Sequence, residues 1–212
     1  MTLHSLPGMP PLSPTASEIA AAYRAIGVAV GMDVWIFGYG SLMWNPGFPY
    51  LERRLATVRG WHRGFSVYSF RHRGTRACPG AVLGLDRGGA CRGIAYRVDA
   101  TEAPGVLDYL WAREMQNAVY EPRLLTATLD DGARVPTVAF TVLRGHEQYC
   151  GRLPPEELAG LIRQGVGESG RNVDYLVNTV QHLHELGIRD RNLEGLVERV
   201  TAPRGPADLT PA

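Results

Sequence analysis

Val34-Trp35-Ile36-Phe37-Gly38-Tyr39-Gly40-Ser41-Leu42 is the stretch from which the rest of the chain can be read. An apolar run ends abruptly in Gly-Tyr-Gly-Ser, the pattern of a buried strand that stops in a tight loop. Two glycines leave the backbone bare, so a ligand can approach the main-chain N–H groups. Consecutive N–H groups in such a loop can form a concavity for an anion, which suggests a small carboxylate- or phosphate-bearing ligand. A strand-to-turn junction with no ligand fits the same residues. The spacing matches neither Gly-x-Gly-x-x-Gly nor the Gly-Lys-Ser/Thr of a P-loop, so a nucleotide is not implied.

Composition narrows the class. A chain of 212 residues with 45% hydrophobic content suits one soluble domain with a tail at each end. We expect an N-terminal extension with a short helix over 1–32, one catalytic domain over 33–200 and a frayed tail over 201–212. The 22 basic and 21 acidic residues balance to a net charge of +1, which points to neither a nucleic-acid nor a membrane partner. Arg71-His72-Arg73, with Arg76 nearby, is a local basic cluster that fits a solvated loop or an anion-facing one. Cys78, Cys91 and Cys150 are dispersed and odd in number. That pattern argues against a disulfide framework and a zinc site and makes a reducing cytoplasm the simplest location. No apolar stretch approaches the roughly 18 residues of a membrane span. Oligomeric state leaves no trace.

Prolines at 7, 10, 11 and 14 mark residues 1–16 as an extended lead-in. Ser17–Gly27 reads as a helix with Ser17 as N-cap. Strands are expected over Asp33–Phe37, Ala56–Tyr68, Ala81–Leu85 and Cys91–Val98, with Gly88-Gly89 as a turn between the last two. Thr101–Tyr120 reads as a helix. Leu124–Leu129, Asp130-Asp131-Gly132 and Val135–Leu143 read as a hairpin, with Pro136 at an edge or a bulge. Three helices follow over Pro154–Gln164, Asn172–Leu186 and Asp190–Val200, with Gly187 and Asp190 as caps. This order is not a regular strand–helix alternation. It favours an α+β fold whose mainly antiparallel or mixed sheet can close into a barrel.

The central helix carries the second clue. Leu107, Leu110, Trp111, Glu114 and Ala118 share one face, and Glu114 alone among them is charged. A desolvated carboxyl has a raised pKa and can accept and return a proton near neutral pH. Equally, Glu114 can sit at the edge of the stripe and reach solvent or pair with an arginine. His182 and His184 point to different helix faces and read as surface residues. Ser41 lacks a sequence-near histidine to activate it, and no zincin or elbow motif is present.

Taken together, these segments resemble the ChaC-type γ-glutamylcyclotransferase family. The matching pieces are Val34 to Trp44, Val58-Arg59-Gly60 and Gly93-Ile94-Ala95-Tyr96, then Tyr109 to Met115 with Tyr120, and finally Ser169 to Leu176. They occur in matching order from about Val34 to about Leu186. The resemblance implies a mixed α/β fold with a small β-barrel and surrounding helices, and no metal or organic cofactor. It implies cleavage of glutathione to 5-oxoproline and cysteinylglycine, with Glu114 as the acid/base. Ile36, Phe37, Gly38, Tyr39, Gly40, Ser41 and Leu42 would hold the γ-glutamyl part, with Tyr120 and Tyr175 as further substrate-binding candidates. Rival readings are a cyclotransferase for other γ-glutamyl amino acids or amines, a non-catalytic ligand-binding module on the same fold, and an unrelated anion-binding enzyme. Because the glycyl end of glutathione is anionic, His72, Arg73 and Arg76 are candidates to meet it.

Overall fold

The computed structural model of the protein describes residues 14–202, so most of the lead-in expected over 1–16 and most of the tail expected over 201–212 lie outside the described residues. Five strands close into a barrel: β1 (Val34–Gly38), β2 (Glu52–Ser69), β3 (Gly80–Val98), β4 (Tyr120–Leu129) and β5 (Arg134–Val142). Their order around the barrel is β1-β3-β2-β4-β5. All neighbours are antiparallel except β1 and β5, which close the barrel in parallel through Trp35↔Thr137 and Ile36↔Val138. The expected α+β barrel is therefore the fold. Both faces of its strands are buried in part: Ile36, Ile94, Tyr96 and Val138 share one face and Val58 and Ala127 the other, each no more than 2% exposed.

Helices cover the barrel. α1 (Ala16–Ala25) packs on α2 (Ala103–Glu114), where the Tyr23 hydroxyl donates to the Leu107 carbonyl at 3.3 Å and the Tyr23 ring meets Trp111 edge-on. Ile19 and Tyr23 of this first helix belong to the main core. Its N-cap is Thr15, not Ser17. Thr15 Oγ1 accepts from the Glu18 N–H while Glu18 returns a carboxylate to the Thr15 N–H at 2.7 Å. Only Thr15 has a Glu three residues on to complete that reciprocal box. After β5 come α3 (Pro155–Gln164), a short hairpin of β6 (Val166–Gly167) and β7 (Gly170–Arg171), α4 (Asn172–Glu185) and α5 (Arg191–Thr201). The expected caps at Asp190 and Gly187 hold: Asp190 accepts from the Leu193 N–H, and Gly187 has φ +66°.

Three expectations change. Gly88-Gly89 is no turn, because β3 runs unbroken through it. The pair of residues on β3 faces the single Gly60 on β2, making a bulge between Arg59 and Trp61, and all three glycines take positive φ. The bulge bends the long β2–β3 hairpin. Its far half then packs on the end of β5, so tightly that a Cβ at Gly84 would fall 2.3 Å from Val142. Second, the central helix stops at Glu114, not Tyr120. Ala118 leaves the helical face with φ +52°, and Tyr120 pairs with Val142 instead. Strand pairing in the barrel overrides helical propensity over these last residues. Third, Pro136 does not lie on a free edge. It pairs with Thr126 and immediately precedes the two-residue parallel contact with β1, where its missing N–H is not required.

A fully buried asparagine docks α4 on the barrel. Asn172 Oδ1 accepts the Ala81 N–H at 2.7 Å and its Nδ2 donates to the Ala81 carbonyl at 2.8 Å. The side-chain amide thus acts as one more strand residue against β3. Asn172→Ala would leave both backbone groups buried and unpaired, a loss of about 2–4 kcal/mol of stability. Urea unfolding of the variant measures this; a loss below about 1 kcal/mol would show the pair to be solvated.

Candidate functional site

A cleft of about 80 Å³ opens at the end of the barrel where β1 and β5 stop and β4 starts. Tyr39, Gly40, Ser41 and Leu42 form one wall, Glu114, Tyr120 and Tyr175 the others, and Val82, Leu83 and Phe140 supply apolar lining. Seven of the residues expected at the site therefore come together from four separate elements. Ile36, Phe37 and Gly38 do not reach the cleft wall. They lie just beneath it in β1, buried. A larger open groove of about 500 Å³ runs on the outer barrel wall past Arg59, Trp61 and Arg134. Neither a glycine loop nor a buried carboxyl lines it.

The loop is shaped by its glycines. Beyond β1 the chain folds back at once into a single 3-10 turn over Ser41–Met43. A Cβ at Gly38 would stand 3.0 Å from Leu42 Cβ and 3.2 Å from the Met43 nitrogen, so this reversal needs glycine there. Met43 and Trp44 donate their N–H groups to the carbonyls of Gly40 and Ser41. Ser41 and Leu42, at the head of the turn, have no carbonyl upstream within it to bond. Beneath the loop, Arg63 donates to the Tyr39 carbonyl at 2.8 Å and pairs with Asp190 at 3.2 Å.

Glu114 resolves the two readings of its position by satisfying both. Its side chain is 18% exposed and lines the cleft, yet its Oε1 lies 3.2 Å from Nε of Arg113. Burial pushes the carboxyl pKa up, and the adjacent guanidinium works in the opposite direction. Arg113 also reaches the loop. It donates to Ser41 Oγ at 3.0 Å and to the Asn45 carbonyl at 2.8 Å. One side chain therefore ties the carboxylate to the glycine loop. Arg113 stands beside Glu114 in the Tyr109–Met115 segment, but nothing in the sequence signals its hold on Ser41.

Three tyrosines surround Glu114. Burial drives the hydroxyls of Tyr39 and Tyr120 well above the usual phenol range and pushes Tyr175 up to about 12. All three are neutral O–H groups at physiological pH. Tyr120 donates to the Leu83 carbonyl at 2.8 Å. The expected surface role of the two histidines holds for His184, while His182 is half-buried and stacks on Trp44 with ring centroids 4.5 Å apart. Cys78, Cys91 and Cys150 are free. Among the described residues no group of three His, Cys, Asp or Glu side chains is placed to hold a metal ion, and no helix is long and apolar enough to cross a membrane.

The family model described as ChaC-like protein matches residues 34–203. The glutathione-specific gamma-glutamylcyclotransferase of Escherichia coli (strain K12) is 39% identical over 188 residues, which are 87% of this chain and 81% of the relative. The glutathione-specific gamma-glutamylcyclotransferase 1 of Mus musculus is 34% identical over 197 residues, 90% of this chain and 87% of the relative. A crystal structure of a yeast gamma-glutamyl cyclotransferase specific to glutathione superposes with a TM-score of 0.72. It is 24% identical and covers 80% of this chain and 96% of its own, a likeness of fold.

The Arg113–Glu114 contact has a measurable consequence. The guanidinium favours the ionised carboxyl, so in Arg113→Gln burial acts unopposed and Glu114 must release its proton at higher pH. A carbon-detected NMR titration of the Glu114 carboxyl in both proteins reads the midpoint. An unchanged or lower midpoint in the variant would show that the pair does not tune Glu114.

Proposed function

Because the chain belongs to the ChaC-like family, we propose that it is a glutathione-specific γ-glutamylcyclotransferase, releasing 5-oxo-L-proline and L-cysteinylglycine. The observation that carries this reading is the placement of Glu114, a buried carboxyl facing a glycine-rich loop across a cleft walled by neutral hydroxyls. Such a site needs no nucleophile of its own. The substrate's α-amine attacks its own γ-carbonyl carbon, and a five-membered ring closes once the γ-glutamyl chain is held folded.

The proton inventory fits one carboxylate. Glu114 takes a proton from the α-ammonium, freeing the nitrogen lone pair. The new C–N bond forms, and the carbonyl electrons move to oxygen. As they return, the bond to the cysteinyl nitrogen breaks, and Glu114 gives its proton to that leaving nitrogen. The ring nitrogen sheds its second proton and the released amine gains one from water, so no net proton is consumed. A raised carboxyl pKa suits this exchange. The N–H groups of Ser41 and Leu42, which have no partner within the turn, would receive an anionic oxygen of the substrate, the α-carboxylate or the developing oxyanion. Val82, Leu83 and Phe140 give the cleft an apolar lining beside these polar groups. Three free thiols fit a reducing, cytoplasmic setting.

Purified protein incubated with glutathione should yield equimolar 5-oxoproline and cysteinylglycine by mass spectrometry. Turnover of γ-glutamyl-alanine in place of glutathione would keep the chemistry and move the substrate; product from neither overturns the reading. Glu114→Gln should remain folded and lose at least about a hundredfold in turnover, and persistent activity in a clean preparation would sink its assigned role. A Cβ at Gly40 meets only Leu83 Cδ1, at 3.5 Å, but the backbone there, φ −132° and ψ −133°, lies outside the regions favoured by residues with a Cβ, so the small change Gly40→Ala is measured together with circular dichroism to check the fold. We expect KM to rise several-fold; an unchanged KM would remove the loop from the binding site.

A further inference from the structure

We infer that Arg73 receives the distal, glycyl carboxylate of the substrate and so sets the preference for a tripeptide, an inference that rests on the cyclotransferase reading of the cleft. The basic cluster at 71–76 divides in the folded protein. Arg71 is paired with Glu168 at 2.8 Å. Arg76 is paired with Glu147 at 3.2 Å and lies over the Phe70 ring. His72 faces Ser169 Oγ at 3.2 Å. Arg73 differs from both neighbouring arginines: among the described residues no carboxylate lies within ion-pair distance of it, and its side-chain partners are the carbonyls of Ser169 and Arg171. Its charge is therefore held in place but not neutralised.

Position adds to charge. The Arg73 guanidinium carbon stands 5.1 Å from the centroid of the Tyr175 ring. Tyr175 is itself a wall of the cleft that contains Glu114. The guanidinium is thus one aromatic ring away from the cleft wall, outside the residues that line it. Beyond the scissile amide, glutathione has a cysteinyl and a glycyl residue, a reach of roughly 7 Å at about 3.5 Å per residue. The backbone under Arg73 is also fixed. Its N–H donates to Ser69 Oγ at 2.9 Å, and the flanking loop is bonded to the β6–β7 hairpin through the Ser169 N–H and the His72 carbonyl at 3.0 Å. A guanidinium held in this way offers its planar N–H groups to a carboxylate with little further loss of side-chain freedom.

The test is a substrate–protein cycle. The wild-type chain, Arg73→Gln and Arg73→Lys are each assayed for 5-oxoproline release from glutathione and from γ-glutamylcysteinylglycinamide, in which a neutral amide replaces the glycyl carboxylate. The wild type should prefer glutathione by roughly ten- to a hundredfold in kcat/KM, mainly through KM, as expected for a charge-assisted contact. Arg73→Gln should erase that preference while leaving turnover of the glycinamide within about twofold, and Arg73→Lys should restore part of it. A role for Arg73 in loop structure alone would lower both substrates together, and that result overturns the inference. Equal turnover of the two substrates by the wild type overturns it without any variant. If the wild type makes no 5-oxoproline from either substrate, the cyclotransferase reading fails and takes this inference with it. If it acts on both with the preference intact in Arg73→Gln, that reading stands and Arg73 is excluded.

Discussion

A guanidinium with almost no access to water ties the glycine loop to β3 and to the cap of α5. The Arg63 side chain is 3% exposed, and it contacts the Asp190 carboxylate and the carbonyls of Tyr39 and Arg92. A charge in such a place is tolerated only when its donors are satisfied, and removing one partner of a buried pair typically costs about 3–5 kcal/mol. Each of its partners is consequently constrained. Tyr39 opens the glycine loop, Arg92 belongs to β3, and Asp190 caps α5. The loop cannot shift without unpairing a buried charge. A flexible glycine sequence is made rigid from below.

The remaining walls are set by two similar devices. Asn172 lends its amide to the backbone of Ala81, which fixes the start of α4 and with it Tyr175, one turn further on. Arg113 spans from Glu114 to Ser41 and the Asn45 carbonyl. In each case a polar side chain satisfies backbone or charged groups that would otherwise be stranded. The positions of the loop, the carboxyl and the tyrosines are thereby coupled through hydrogen bonds and not through apolar contact alone. Apolar packing alone tolerates small slips, whereas these bonds have a narrow range of length and angle.

Electrostatically, one carboxyl faces a cleft otherwise walled by tyrosine hydroxyls, the glycine loop and apolar side chains. Burial keeps the hydroxyls of Tyr39, Tyr120 and Tyr175 protonated, and it also raises the affinity of Glu114 for a proton. Arg113 limits that rise. The balance between desolvation and one adjacent cation is what allows a single carboxyl both to take and to give a proton. Outside, at the rim, the charges of the 71–76 segment are sorted into paired and unpaired arginines by Glu168 and Glu147, residues distant in sequence.

Local sequence determined a good deal. The strand running into Gly38, the 124–143 hairpin, three C-terminal helices and the inward line of Leu107, Leu110, Trp111 and Glu114 are all periodic or capped, and such signals depend on neighbours within a few residues. The ordered series of segments also carried the family and most of the cleft residues. What only the tertiary structure decided depends on partners far along the chain. Gly88-Gly89 looks like a turn until Gly60 stands opposite it and the strand continues through a bulge. Tyr120 looks helical until β5 offers Val142 as a partner. No local pattern foretells the hold of Arg63 on Tyr39, of Arg113 on Ser41 or of Asn172 on Ala81, because these contacts are to groups that folding alone brings within 3 Å or so. Local propensity is worth only tenths of a kcal/mol per residue, while strand pairing and the satisfaction of buried polar groups are worth several times more, so where the two conflict the distant partner prevails.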